Sequence, residues 1–408
     1  MKLTVVWHKP MWSSPLSPTG FASRGCLGDP GFGGLPREIE TLSQLFDSTR
    51  IVGPSFQEAV GDSFISGKNV SVLPVSWLPR SPWVTWIVLP LWLVRNSLKL
   101  TREIATTGAV FAFIPSPIGF LGLILALIFR KPLLTRQLNR WSEPRWLWRM
   151  ERSILERIAG GRNVVFATGD SDKPPSIRNP SIRWLFITML PESETAGVAA
   201  RVRKPGCARL IMLEREVEAG PTLIALRALS LLVREFPGAG LDVVGDFRSL
   251  PLLEEVAGDL GVRDRVAFHG SPSRERILEL LREADLMCCL PAAETESFRQ
   301  ALHEALACGL PVVTAPTEIA PVLMRKGCAV VLEKKTPEAL AAAASACLSD
   351  PALYRSMSAR ALQTAREYSL ARWRESVSSA LQRSWGPLGS ESDDLPAATT
   401  EARRVLSK

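Results

Sequence analysis

The feature that most limits what this chain can fold into is the alternation of period in its second half. Short apolar runs of strand type occur at 210–213, 241–244, 266–269, 286–290, 311–314 and 329–332. Between them, at about 222–235, 250–260, 274–283 and 298–308, the apolar residues fall at helical spacing. Parallel strands need a crossover of a dozen or more residues, usually a helix, and a sheet so built has both faces covered. The pattern predicts a parallel-sheet, Rossmann-like domain whose ligand sits at the carboxyl ends of its strands.

The first half repeats the pattern more weakly, with strand candidates at 3–7, 50–52, 71–73, 110–114, 133–135 and 164–167. A length of 408 residues accommodates two or three domains. The expected fold class is therefore α/β, with two Rossmann-like domains in tandem at 1–195 and 207–365. A Pro-, Gly- and Ser-rich stretch at 191–206 supplies the linker, placed at 196–206, and 386–408 lacks apolar periodicity and reads as a loose tail.

Composition separates the halves. With 46% hydrophobic and 22% charged residues the chain is neither disordered nor collagen-like. Residues 1–200 hold 22 Lys/Arg against 14 Asp/Glu, so the whole formal charge of +8 lies there, together with ten of the 12 Trp. The seven Cys include no C-x-x-C, and Cys288-Cys289 sit in an apolar run as small buried hydrophobes, which fits a reducing cytoplasm better than a disulfide framework. The N-terminus is too short in apolar residues for a signal peptide and reads as a first strand. The apolar runs 83–94 and 118–129 are each about a dozen residues, short of the roughly 20 that span a bilayer, and read as core helices or, alternatively, as membrane-facing elements.

The segment 296–313, Glu-Ser-Phe-Arg-Gln-Ala-Leu-His-Glu-Ala-Leu-Ala-Cys-Gly-Leu-Pro-Val-Val, says most about function. Ser297 with Gln300 forms a capping box that starts a helix at Phe298, and Gly309 with Pro311 ends it. Phe298, Ala301, Leu302, Ala305 and Leu306 form the apolar face. Glu296 stands beside the unpaired amides of the first turn, which favour an anion such as a diphosphate. Glu304, two turns on, can accept paired hydroxyls such as those of a ribose.

This segment resembles the E-x7-E element of glycosyltransferase family 4, the retaining GT-B glycosyltransferases of the group 1 type. The resemblance is clear over most of 209–385 and loose over 1–200. It extends to Val243-Val244-Gly245-Asp246, to the strand ending His269-Gly270, to Ala284-Asp285-Leu286 and to Gly33-Gly34 after the first strand. It implies a GT-B architecture, with a final helix at 366–385 crossing back to the first domain. It also implies a metal-independent transfer, with no cofactor, from a nucleotide sugar. By match to the family's positions, Glu304 holds the ribose. Glu296, with a catalytic role, lies at the donor sugar beside the reacting centre. Ser297, Phe298, Gly245, Gly33, Gly34 and Arg215 line the nucleotide sugar.

The sequence departs from the family at several places. Ala219 stands where a diphosphate-binding lysine is expected, with Arg248 and Arg299 as replacement cations. Ser297 and Arg299 replace the glycines of E-G-F-G, the glycine pair after Pro-Val-Val is absent, and Gln137 falls about where a first-domain histidine would be. Arg215 fits a phosphate contact or an ion pair with Glu214 or Glu216. His8 ends the first strand at the ligand rim, His269 fits a functional or a structural role equally, and His303 reads as a surface or packing residue. Asp170-Ser171-Asp172 has the form of a metal-binding D-x-D, which loops also contain by chance.

The segment from Arg130 to Arg162 carries nine Lys/Arg and three Glu, with Leu147, Met150, Ile154 and Ile158 as an apolar stripe and Trp141, Trp146 and Trp148 at its start. Such a helix suits peripheral contact with an anionic membrane, or packing on the first domain with a solvated arginine face. No nucleic-acid motif accompanies it. The expected activity is transfer to a glycan or lipid-linked acceptor in cell-surface polysaccharide or glycolipid synthesis, at the inner face of the membrane. The alternatives are a catalytically weak GT-B protein that binds a nucleotide sugar or a partner enzyme, and a GT-B nucleotide-sugar epimerase.

Overall fold

A computed structural model of the chain describes residues 1–7, 11–13, 21–23, 35–56, 63–64, 67, 69–76, 82–138, 141, 146–170, 173–186, 188, 197–202, 207–217, 219–247, 249–291 and 296–388. Among them the strands form one sheet of ten and one of six.

The first domain runs β1 (Lys2–Val6), β2 (Met11–Ser13), β3 (Phe21–Ser23), α1 (Leu35–Ser43), β4 (Ser48–Phe56), β5 (Ser63–Phe64) and β6 (Val70–Val75). It continues with α2 (Pro82–Thr106), β7 (Ala109–Ile114), α3 (Pro117–Ile128), β8 (Leu133–Gln137), α4 (Trp146–Ile158), β9 (Asn163–Thr168) and β10 (Arg183–Leu185). Its central order is β6-β4-β1-β7-β8-β9-β10, all parallel, with the short β2, β3 and β5 added beside β4. Every residue of β7 and β8 is buried, as expected for strands covered on both faces.

The second domain runs β11 (Cys207–Val217), α5 (Ala219–Leu232), β12 (Gly238–Phe247), α6 (Leu250–Asp259), β13 (Val266–Phe268), α7 (Arg274–Glu283), β14 (Leu286–Cys289) and α8 (Glu296–Ala307). Then follow β15 (Val312–Thr314), α9 (Ala320–Lys326), β16 (Ala329–Val331), α10 (Pro337–Ser349), α11 (Pro351–Glu367) and α12 (Leu370–Trp385). The order β13-β12-β11-β14-β15-β16 is that of a doubly wound sheet, and the chain reverses direction across it between β11 and β14. Alternation splits the core cleanly: Leu210 and Met212 face α5, α6 and α10, whereas Ile211 and Leu213 face α7, α8 and α9. Cys288 and Cys289 are buried one on each side, and burial pushes the Cys288 thiol up to about 12.

The chain's last helix returns to the first domain. Trp373, Val377, Ala380 and Leu381 of α12 share a core with Leu3, Val5 and Phe111, and the Trp385 indole donates to the Arg162 carbonyl at 2.8 Å. The linker is anchored as well. Arg201 donates to the carbonyls of Cys308 at 2.8 Å, Leu281 at 2.8 Å and Arg282 at 2.7 Å, so one guanidinium serves the C-terminal ends of both α7 and α8.

Two elements differ from the sequence reading. The strand expected at 210–213 continues to Val217, past a bulge between Leu213 and Glu216. The run 83–94 is not simply a core helix. It belongs to a 25-residue helix that passes through Pro90, burying Trp92, Asn96 and Leu100 while Leu91, Val94 and Leu98 face solvent. A helix on one sheet face has one stripe to bury, and an apolar run longer than that stripe necessarily shows its remainder outside.

Trp373 is the largest α12 side chain in this shared core. Trp373→Ala is expected to cost the first domain about 3–5 kcal/mol, read as an earlier first-domain transition in chemical denaturation. An unmoved transition would contradict this account of α12.

Candidate functional site

The helix α8 leaves β14 at the carboxyl rim of the second sheet and packs on β11. It starts at Glu296, two residues before the expected Phe298, within the usual latitude of helix ends. Phe298, Ala301, Leu302, Ala305 and Leu306 are all buried in one cluster, as their spacing predicts. At the other end Gly309 has φ +68°, its N–H donates to the Leu306 carbonyl and that of Leu310 to the Ala305 carbonyl. This is a Schellman ending, and a side chain at Gly309 would press on Ser358 and Leu362 of α11.

These packed residues fix Glu304, which is only 3% exposed. Arg274, at the start of α7, donates its Nε to Glu304 Oε1 at 3.0 Å. A carboxylate accepts about four hydrogen bonds, so Arg274 by itself does not exhaust it. His303 is buried too, stacked on Tyr368 with ring centroids 4.5 Å apart, which bears out its packing role. Tyr368 ends α11 and donates its hydroxyl to Asp170 of the first domain. Burial first, then the Asp170 charge, pushes that hydroxyl far above its ordinary range, so it stays a donor at neutral pH. Asp170 is thereby engaged by a tyrosine, a role the D-x-D reading did not foresee. Asp172 lies outside the described residues.

A cavity of about 270 Å³ opens between the domains, lined by Trp141, Gly169, Asp170 and Trp184 on one side and by Arg299 and Glu318 on the other. Arg299 Nη2 lies 3.8 Å from Glu318 Oε2. Arg299, one of the cations considered as a replacement for the lysine, therefore does face the cleft.

The other residues singled out in the sequence gather along the same rim or lie outside the described residues. Arg215 falls within the β11 bulge, directly beside the rim end of β12; bulges of this kind redirect side chains near functional sites. Gly245, on β12, has φ +143° and donates its N–H to the Gly270 carbonyl at 2.7 Å, a conformation that favours glycine. Ala219 opens α5 immediately after that rim. The backbones of Glu296 and Ser297 belong to α8, but their side chains, like that of Arg215, lie outside the described residues, as do Gly33, Gly34, His8 and Arg248. His269 is structural: its Nε2 lies 2.7 Å from Asp242 Oδ1, and Arg209 holds the same buried carboxylate at 2.6 Å.

Sequence reading missed a buried pair at the first domain's rim. Arg136, on β8, donates to Glu38, to Thr168 Oγ1 at 3.3 Å and to the Phe186 carbonyl at 3.1 Å, while Glu38 accepts from the Thr188 amide at 3.2 Å. Glu38 lies in the first turn of α1, shortly after Gly33-Gly34, so the pair pins the start of that helix to the sheet rim. Adjacent Gln137 is buried, and its Oε1 accepts no hydrogen bond among the described residues.

Helix α4, from the basic segment, lies on the first domain. Leu155 is buried, Ile158 packs on the core, and Arg152 donates to the carbonyl of buried Trp141 at 2.8 Å; Met150 and Arg149 face solvent. Among the described residues no helix is long and apolar enough to cross a membrane, and no group of three or more His, Cys, Asp or Glu could hold a metal ion.

Comparisons with known proteins agree with this geometry. Residues 214–364 match the family Glycosyl transferases group 1. The D-inositol 3-phosphate glycosyltransferase of Mycobacteroides abscessus is 34% identical over 169 residues, 38% of this chain and 36% of that protein. The alignment thus spans about a third of the curated relative's length. The structure of Anabaena Alr3699/HepE in complex with UDP and glucose is similar over 94% of this chain and 100% of that one, with a TM-score of 0.61 and 15% identity. A UDP-N-acetylglucosamine 2-epimerase structure is similar over 95% and 97%, with a TM-score of 0.55 and 13% identity. At such identities the two structures show a shared fold, the GT-B arrangement of two Rossmann-like domains facing a cleft.

Removing Arg274 while keeping Glu304 leaves a buried carboxylate without its guanidinium. Arg274→Ala is expected to cost about 3 kcal/mol in urea denaturation, and adding Glu304→Gln to recover part of it. Additive losses would mean that the two side chains do not support each other.

Proposed function

From the premise that the second domain belongs to the group 1 glycosyl transferases and the chain has the GT-B fold, we propose that the protein is a retaining glycosyltransferase. It moves a sugar from a nucleotide-sugar donor to a glycan or lipid-linked acceptor in cell-surface polysaccharide or glycolipid synthesis. The observation that carries this reading is the placement of the E-x7-E helix. It begins at the carboxyl rim of a doubly wound sheet, beside the β11–β14 reversal, with its second glutamate buried and fixed. That rim is where such sheets hold nucleotides.

In this reading Glu304 accepts the ribose hydroxyls and Arg274 sets the direction of its carboxylate. The first-turn amides of α8, around Ser297 and Phe298, and those of α5 face the diphosphate with the positive ends of two helix dipoles. The α5 terminus makes up for part of what the missing lysine at Ala219 would supply. Arg215, whose backbone lies in the β11 bulge, neutralises charge that grows on the leaving diphosphate, and Gly245 lets the β12 turn come close to it. Glu296 orients the donor sugar and stabilises the oxocarbenium-like centre at its anomeric carbon. Gly33-Gly34, which precede α1 in the sequence, line the nucleotide sugar from the first domain. That domain carries the charge excess and holds the acceptor. The protein works in the cytoplasm, at the inner face of a membrane, and uses no cofactor.

Ala219 and Gln137 favour one second reading, a GT-B protein that binds a nucleotide sugar without transferring it. A panel of UDP-, GDP- and ADP-sugars with candidate acceptors separates the possibilities. Transfer with retention supports the first reading and binding with no turnover the second. Conversion of the donor without an acceptor would make the protein an epimerase. For the wild type we expect nucleotide to raise the melting temperature. Glu304→Ala should abolish that shift, and Glu296→Gln should keep it while turnover falls at least a hundredfold (about 3 kcal/mol). An unchanged shift in Glu304→Ala would remove Glu304 from the donor site.

A further inference from the structure

We propose that the outer faces of α2 and α3 form a docking surface for an anionic phospholipid bilayer. Twelve large hydrophobic side chains are exposed among the described residues, and six of them lie on or just after these two helices, which pack against each other. On α2, Leu91, Val94 and Leu98 are 72%, 65% and 64% exposed. Their i, i+3, i+7 spacing puts them in one stripe opposite the buried Trp92, Asn96 and Leu100. At the end of α3, Ile128 is 66% exposed, with Ile124 and Phe129 beside it. Isolated exposed hydrophobics need no explanation, but a cluster on one pair of helices marks an interaction face.

Charge identifies the occupant. Arg95, Lys99 and Arg102 are exposed along the α2 stripe, and Arg130 and Lys131 follow α3. The two helices contain one acidic residue, Glu103, which is buried and paired with Lys2 at 2.5 Å and Arg50 at 3.5 Å, so among the described residues the cations of the face have no acidic partner. A second copy of the chain would set these cations against each other. A bilayer of anionic lipids meets both demands: headgroups attract the cations while the apolar side chains enter the acyl boundary. No described helix is long and apolar enough to cross a membrane, so the contact lies along the surface. It shares Arg130 and Lys131 with the basic segment but centres the contact on α2 and α3; among the described side chains of α4, Met150 is the one large exposed hydrophobic.

The full chain, sedimented with vesicles of phosphatidylglycerol and phosphatidylethanolamine, should partition strongly at low salt, weakly at high salt, and weakly with phosphatidylcholine alone. Leu91→Ser with Leu98→Ser, and separately Arg95→Gln with Lys99→Gln, should each lower binding about tenfold or more, while Met150→Ser should not. The charge pair keeps every apolar atom near the core in place, so it reads out even if the serine pair impairs folding. Nucleotide binding should be unchanged in all of these variants, which separates this proposal from the donor site. A wild type that ignores anionic vesicles, or variants that bind like it, would overturn the proposal. So would a wild-type dimer that the serine pair makes monomeric, because a second copy would then be the occupant.

Discussion

Glu304 is held at the rim of the second sheet by two demands that must be met together. Six apolar side chains of α8, Phe298, Ala301, Leu302, Ala305, Leu306 and Ala307, press the helix onto the sheet. That burial takes the carboxylate out of water, which is tolerable only beside a cation, and Arg274 supplies one from the neighbouring helix. The Schellman ending at Gly309 fixes the far end of α8 against α11, and Arg201 ties the linker to the same corner. These contacts join α7, α8, α11 and the linker into one packed corner.

The same corner connects to the first domain. Tyr368, where α11 gives way to α12, stacks on His303, the neighbour of Glu304, meets Phe186 edge-on and donates to Asp170. Beyond it α12 is embedded in the first domain's core through Trp373. Asp170 also lines the cleft cavity that Arg299 faces from the other side. The relative position of the two sheets is therefore set partly by side chains that touch the glutamate helix.

Much of the second domain could be read from the sequence because its determinants are local. A parallel strand buried on both faces is an apolar run, and a helix on such a sheet shows a periodic stripe; 296–313 combines both with a cap and a glycine stop. What could not be read is non-local. Arg274 meets Glu304, Arg136 meets Glu38 and Tyr368 meets Asp170 across 30, 98 and 198 residues, and periodicity carries no information about such pairings. The run at 83–94 shows the opposite limit: its hydrophobicity predicts burial, but which side is buried depends on how much of the helix the sheet can cover. The extension of β11 past its bulge was hidden because Glu214, Arg215 and Glu216 carry no strand pattern.

In the proposed donor site the nucleotide lies along α8. A structure of the chain crystallised with a nucleoside diphosphate tests this most directly. The ribose hydroxyls are expected on the Glu304 carboxylate and the diphosphate at the first-turn amides of α8, next to Arg215. A nucleotide seated elsewhere, with no ribose on the Glu304 carboxylate, would contradict that placement.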